Sequence, residues 1–163
     1  MLSITNDDLD DLTRAARAAG RRRMNRNLHP ALTDQVQRLL NAFEPGTYVR
    51  PHRHDAGRWE LFLILRGRAA LLAFDDHGRV AARHELAAAG PVRLIEVPGG
   101  TWHTLAALEP GTLLFEVKPG PYVPLADKDF AAWAPGEGEP RAAAYEQWFR
   151  RARPGETPAG LTS

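Results

Sequence analysis

At 163 residues the chain suits one domain with a sizeable core and is short for two. A hydrophobic fraction of 44%, a charged fraction of 25% and a formal net charge of +1 give no whole-molecule pull toward nucleic acid or an anionic membrane. Cysteine is absent, which excludes disulfides, thiolate metal sites and cysteine nucleophiles.

Residues 1–20 read as an N-terminal helix. Aspartates crowd its first turn, Leu9, Leu12, Ala15, Ala16 and Ala19 form one apolar stripe, and Gly20 can stop it. The opening "MLSITNDDLDD" has no apolar h-region, and no later run reaches the length of a membrane span. A cytoplasmic protein without membrane contact is therefore expected. Residues 21–30 read as a loop or irregular extended segment, and 34–43 fit a short helix or a strand equally well. Glu44-Pro45-Gly46 forces a turn.

From there the texture is that of strands. "TYVRPHRH", "WELFLILRGR", "AALLAFDD", "VRLIEVP", "HTLAALEPG" and "TLLFEVKPG" are short runs rich in Val, Ile, Leu, Phe and Thr. Turn signals separate them at 75–78, 98–100, 109–111 and 119–121. The spacing predicts a mainly β domain over 21–140, a sandwich or barrel, with a Pro/Gly-rich connection at 122–140. A C-terminal helix is expected over 141–152, where Tyr145, Trp148 and Phe149 share a face, followed by a disordered tail at 153–163.

Side chains alternate along a strand, so His52 and His54 share a face with Tyr48 and Arg50, and Arg53 points away. Glu60 shares a face with Phe62 and Ile64. A hairpin through Asp55-Ala56-Gly57-Arg58 would bring His52, His54 and Glu60 together. His103, just after a tight turn, can be aimed into the same cavity. Three imidazoles and a carboxylate, with no sulfur, suit a divalent first-row ion: Fe, Mn, Ni, Zn, Cu or Co. Each imidazole must be neutral to ligate, so occupancy should weaken below about pH 6.5.

Glu116 and Lys118 alternate with Phe115 and Val117 and so share one face, though parity leaves open which face is inside. If they face the cavity, Glu116 is a candidate acid/base and Lys118 a candidate holder of an anionic group. Arg50 is a substrate-contact candidate by its parity with the histidines, and Tyr48 and Tyr122 are further ones. Trp59 and Trp102 have the opposite parity and read as packing. His77 and His84 read as solvated, and His29 has no ligand company. Leu61, Leu63 and Leu65 make the other face of the Glu60 strand apolar, so a helix or a second copy must cover it; a homodimer through that face is expected. No helix-turn-helix pattern or basic stripe points to nucleic acid.

The pattern resembles the cupin superfamily. Gly46, His52, His54, Glu60 and Gly67 match its first motif, with a spacer of five residues before the glutamate. Pro98, Gly100 and His103 match its second, with the leading glycine displaced to Gly90 and Ala107 in the usual asparagine place. Over about 21–150, "NRNLHP", "NAFEPGTYVRPHRH", "WELFLILRGRAALLAFDD" and the stretch from Trp102 to Gly138 resemble the WbuC-type cupin-fold metalloproteins of bacterial surface-polysaccharide gene clusters. The resemblance implies a double-stranded β-helix (jelly-roll) with a metal centre. It also implies a small sugar or nucleotide-sugar ligand. The resemblance implies no reaction; the ligand set would allow isomerase, epimerase or oxygenase chemistry, with a non-catalytic metal- and sugar-binding sensor as the alternative, and a metal-free epimerase would need only a histidine base.

Overall fold

The computed structural model describes residues 1–158. Helix α1 spans Asn6–Ala18 and begins at a capping box. Thr5 accepts a bond from the Asp8 amide, and the Asp8 carboxylate accepts one from the Thr5 amide. Eight strands follow: β1 Arg23–Asn27, β2 Val36–Phe43, β3 Glu60–Arg66, β4 Arg68–Phe74, β5 Val80–Ala87, β6 Leu94–Val97, β7 Trp102–Ala107 and β8 Thr112–Pro119. Helix α2, Ala142–Phe149, comes last. The strands form two antiparallel sheets, ordered β1-β2-β8-β3-β6 and β5-β4-β7. This is a jelly-roll with a helix on each outer side.

Three apolar clusters explain the layering. Phe62 and Ile64 of β3 and Leu114 of β8 meet Leu71 of β4 and Leu105 of β7 between the sheets. Leu12 and Ala16 of α1 cover Leu40, Ala42 and Leu113 on the back of the larger sheet, with Leu65 and Phe115 at the margin. Tyr145, Trp148 and Phe149 of α2 pack on the back of the smaller sheet against Leu72, Phe74 and Ala106. The apolar reverse of β3 thus takes part of its cover from α1, while Leu61 and Leu63 stay partly exposed and Leu94 beside them is 51% exposed.

Several segments differ from the sequence reading. Residues 23–27, expected as loop or irregular chain, form a paired edge strand. Its mostly exposed Arg-Met-Asn-Arg-Asn carries no apolar alternation to announce it. The ambiguous 34–43 segment is a strand because it lies between β1 and β8. Strand β5 was not anticipated: Ala, Arg, Glu and Leu favour helix, and pairing with β4 overrides that preference. Residues 47–54, expected as a strand, form an extended arm that bridges β7 only at His52. Residues 153–158, expected as part of a disordered tail, are held in place. The Val80 amide bonds to the Glu156 carbonyl at 2.8 Å and the Gly155 amide to the Val80 carbonyl at 2.8 Å, so 153–158 is tied to β5. Residues 159–163 lie outside the described residues. No helix among the described residues is long and apolar enough to cross a membrane.

Candidate metal centre

Glu60 opens β3 and shares its face with Phe62 and Ile64, so its carboxylate stands at one end of the inter-sheet core. His103 shares the inward face of β7 with Leu105 and reaches the same end from the other sheet. The arm carrying His52 lies beside β7, with reciprocal amide-to-carbonyl bonds between His52 and His103 at 3.1 and 2.9 Å. On its other side, Ala131 donates to the Pro51 carbonyl and Arg53 to the Asp129 carbonyl, both at 2.9 Å. His54 is held by the turn at 98–101, where the Gly100 amide donates to the His54 carbonyl at 2.8 Å. Gly99 permits this close approach, since a Cβ there would lie 2.4 Å from the Asp55 carbonyl oxygen.

One ligand atom from each of His52, His54, Glu60 and His103 falls within 4.8 Å of the others. Glu60 and His103 are buried; His52 and His54 are partly so. The Glu60 carboxylate lies 2.8 Å from His103 Nε2, 3.0 Å from His54 Nε2 and 2.8 Å from the Lys118 ammonium. The outward nitrogens are oriented by backbone. His52 Nδ1 is 3.0 Å from the Arg50 carbonyl and His103 Nδ1 is 2.9 Å from the Thr101 carbonyl. A carbonyl only accepts, so Nδ1 carries the hydrogen in both rings and Nε2 of the neutral ring presents a lone pair. At His103 that lone pair faces a carboxylate oxygen. Two acceptors at 2.8 Å are stable only with a proton or a cation between them. Backbone-oriented imidazoles around a carboxylate are the outer support that metal ligands have, so the donor set fits a divalent ion.

The electrostatics agree. Burial, and then the neighbouring His103, push the His52 imidazole down to about 3, so it is neutral over the physiological range, as ligation requires. Burial opposes ionisation of Glu60. Hydrogen bonds from His103 and His54 and the charge of Lys118 outweigh it and hold the carboxylate well below its usual range.

Glu116 and Lys118 face the same interior. Leu39 lies opposite Glu116 and Gln37 opposite Lys118, so these side chains share one face. The Lys118 ammonium is 2.7 Å from Glu116 and 2.8 Å from Glu60, and Asn41 donates to the other Glu116 oxygen at 2.7 Å. Burial, supported by the Glu60 charge, raises the Glu116 pKa above the ordinary carboxylate value despite Lys118. Lys118, matched by two carboxylates, is not a free anchor for an anion, which corrects that expectation.

The remaining candidates divide. Tyr48 is in the α2 core, not the cavity: its ring stacks on Phe149 at 5.9 Å and its hydroxyl donates to the Pro135 carbonyl at 2.8 Å. Arg50 donates to the Ala131 carbonyl at 3.2 Å and lies over the Phe130 ring, and it is not part of the lining of the cavity over His52 and His54. Val49 lines the interior with Glu116 and Lys118 instead, so the alternation reverses across Pro51, where the arm is not a regular strand. Arg53 does turn away, onto Trp102 at 4.2 Å. Tyr122 is at the mouth of a cavity of about 230 Å³ containing His52, His54 and Lys118. Trp59 lines it too, contrary to its assignment to packing. Arg58 was missed. It lines the same mouth and donates to the Pro121 carbonyl at 2.9 Å. Its nearness to the histidines in sequence was the signal available.

Two antiparallel sheets closing on a three-histidine, one-glutamate cluster define a cupin-fold protein with a candidate metal centre. The family described as a domain of unknown function, DUF6016, matches residues 4–86, and the chain belongs to it. The fold is similar to a cupin superfamily protein from Desulfitobacterium hafniense (23% identity, 60% of this chain and 76% of that one, TM-score 0.47). It is similar also to KdgF from Halomonas sp. (19%, 65% and 82%, TM-score 0.48). A mutant of Bacillus subtilis oxalate decarboxylase matches at 19% identity over 66% of this chain and 28% of that one, TM-score 0.50. These likenesses bear on the fold alone. A search of curated proteins finds no match.

Proposed function

We propose that His52, His54, Glu60 and His103 hold a divalent transition metal in a cytoplasmic enzyme of bacterial surface-polysaccharide (O-antigen) biosynthesis. Its substrate is a small sugar or nucleotide-sugar. The observation carrying the metal is the pair of backbone-oriented imidazoles whose Nε2 atoms converge with Glu60. The polysaccharide context comes from the WbuC-type resemblance. The cavity of about 230 Å³ suits a small polar ligand, with Trp59 and Tyr122 as aromatic faces and Arg58 as a cation that no carboxylate among the described residues pairs. A bound metal would supply Lewis acidity at a carbonyl or at vicinal hydroxyls. Glu116, whose pKa burial raises above the ordinary carboxylate value, would be the acid/base group, and Lys118 fixes its position.

A non-catalytic sensor is the second reading, favoured by the engagement of both Glu116 oxygens by Asn41 and Lys118. Metal-loaded protein incubated with hexoses, sugar phosphates and nucleotide-sugars should convert at least one, read by NMR. A sugar that raises thermal stability yet returns unchanged selects the sensor; neither binding nor conversion removes the sugar reading. The part of the β3 reverse face left open by α1, around Leu61, Leu63 and Leu94, is proposed as a homodimer contact. Light scattering at micromolar concentration is expected to give a dimer mass, and a monomer there removes the interface.

A further inference from the structure

Beyond Lys118 the interior continues into a second cavity of about 290 Å³, between β1 and the chain that follows it. Asn25, Asn27, His29 and Leu39 line it, and it shares Gln37, Lys118 and Tyr122 with the cavity over the metal cluster. The two spaces therefore adjoin.

His29 is 6% exposed. The Arg38 backbone amide donates to its Nδ1 at 3.0 Å. The Arg38 carbonyl oxygen lies 3.0 Å from the same nitrogen, so Nδ1 is satisfied as acceptor or as donor and Nε2 takes the complementary role. That Nε2 is buried and has no hydrogen-bond partner. A buried ring nitrogen without a partner, in a residue lining a cavity, calls for a ligand hydroxyl, which can accept from it or donate to it. The neighbours have matching chemistry. Asn25 Nδ2 donates to Asn27 Oδ1 at 3.1 Å, which leaves the Asn25 oxygen and the Asn27 amide hydrogens for another partner. Lys118 is the only Lys, Arg, Asp or Glu in that lining, and Glu60 and Glu116 lie 2.8 and 2.7 Å from its ammonium. Such a wall recognises hydroxyls rather than a phosphate.

We propose that this cavity is a second sugar subsite, binding a neutral hydroxylated ring joined to the one held over the metal cluster. The inference rests on the sugar reading above and deepens it: the ligand is the end of an oligosaccharide rather than a sugar joined to a nucleoside diphosphate. His29 Nε2 bonds a ligand hydroxyl, and the paired asparagines bracket neighbouring hydroxyls.

The test is calorimetric titration of zinc-loaded wild type, His29→Leu and His29→Gln. The probes are glucose, cellobiose, maltose, N-acetylglucosamine, chitobiose and UDP-glucose. At least one disaccharide should bind about tenfold tighter than its monosaccharide. His29→Leu should abolish that advantage while leaving zinc and monosaccharide binding unchanged, and His29→Gln, which keeps an amide able to donate or accept, should restore part of it. Disaccharides no tighter than monosaccharides in the wild type overturn the subsite, as does UDP-glucose binding tightest with no effect of either substitution. Loss of zinc or of every monosaccharide in the wild type overturns the underlying sugar reading instead, and the subsite with it. A His29→Leu protein that fails to fold leaves the decision to His29→Gln, where full loss of both ligand classes would mark a purely structural residue.

Discussion

Replacing Lys118 with methionine should destabilise the metal-free protein by about 3 kcal/mol at neutral pH, a fall in Tm of about 6–12 °C for a chain of this size. The reason is the burial of its partners. Glu60 and Glu116 side chains are 4% and 10% exposed, and the ammonium is the one fixed positive charge between them. Without it the two carboxylates face each other in a poorly solvated space, whereas breaking an exposed pair such as Arg68–Glu85 should cost at most about 1 kcal/mol. The deficit depends on pH with a definite sign. The folded-state pKa of Glu116 lies above its unfolded value, so the folded state holds the extra proton. Stability from that proton is present at acidic pH and lost as pH rises through the folded-state value. Removing Lys118 raises that value further, so the variant's deficit is smallest in acid and grows toward neutrality. Urea melts across that range measure it, and a deficit that is small and flat with pH would show that the triad is not the buried network described above.

The second large effect is on metal linkage. At a free metal concentration about a thousandfold above Kd, a ligand binding only the folded state adds about 4 kcal/mol, or about 8–16 °C in Tm. Wild-type protein stripped with chelator and reloaded should show such a rise with at least one of Fe, Mn, Ni, Zn, Cu and Co. His103→Ala should lose it. That substitution removes the ligand from the smaller sheet, while His52, His54 and Glu60 remain. The gain should also weaken in acid, where protons compete with the ion for its ligand atoms. Equal melting of wild type and variant under every metal would mean that a proton, not a cation, joins His103 to Glu60.

The site was legible where residue type alone carries chemistry. The two histidines of "RPHRH", the glutamate opening an apolar strand and the histidine after Pro98-Gly99-Gly100 stood out without coordinates. The jelly-roll was legible in the short strands and their turn signals. Alternation failed on the arm before His52, because Pro51 interrupts it and only one bridge ties the arm to β7; this misplaced Tyr48 and Arg50. Helix-forming residues concealed β5, whose pairing to β4 is a tertiary fact. Gln37 and Arg58 escaped notice, and His29 was only weakly marked, for a related reason. Gln37 and His29 reach the cavities through pairings that join β1, β2 and β8, and Arg58 does so through its bond to Pro121, 63 residues away. The face of Glu116 and Lys118, undecidable by parity, followed once β8 lay between β2 and β3.

The central claim is that the three imidazoles and Glu60 form a metal centre, and counting bound metal tests it most directly. Protein dialysed against each candidate metal and analysed by inductively coupled plasma mass spectrometry should retain about one ion per chain, as expected for four converging ligands. Glu60→Gln and His54→Ala should retain far less. Wild-type protein holding no more metal than those variants would contradict the account.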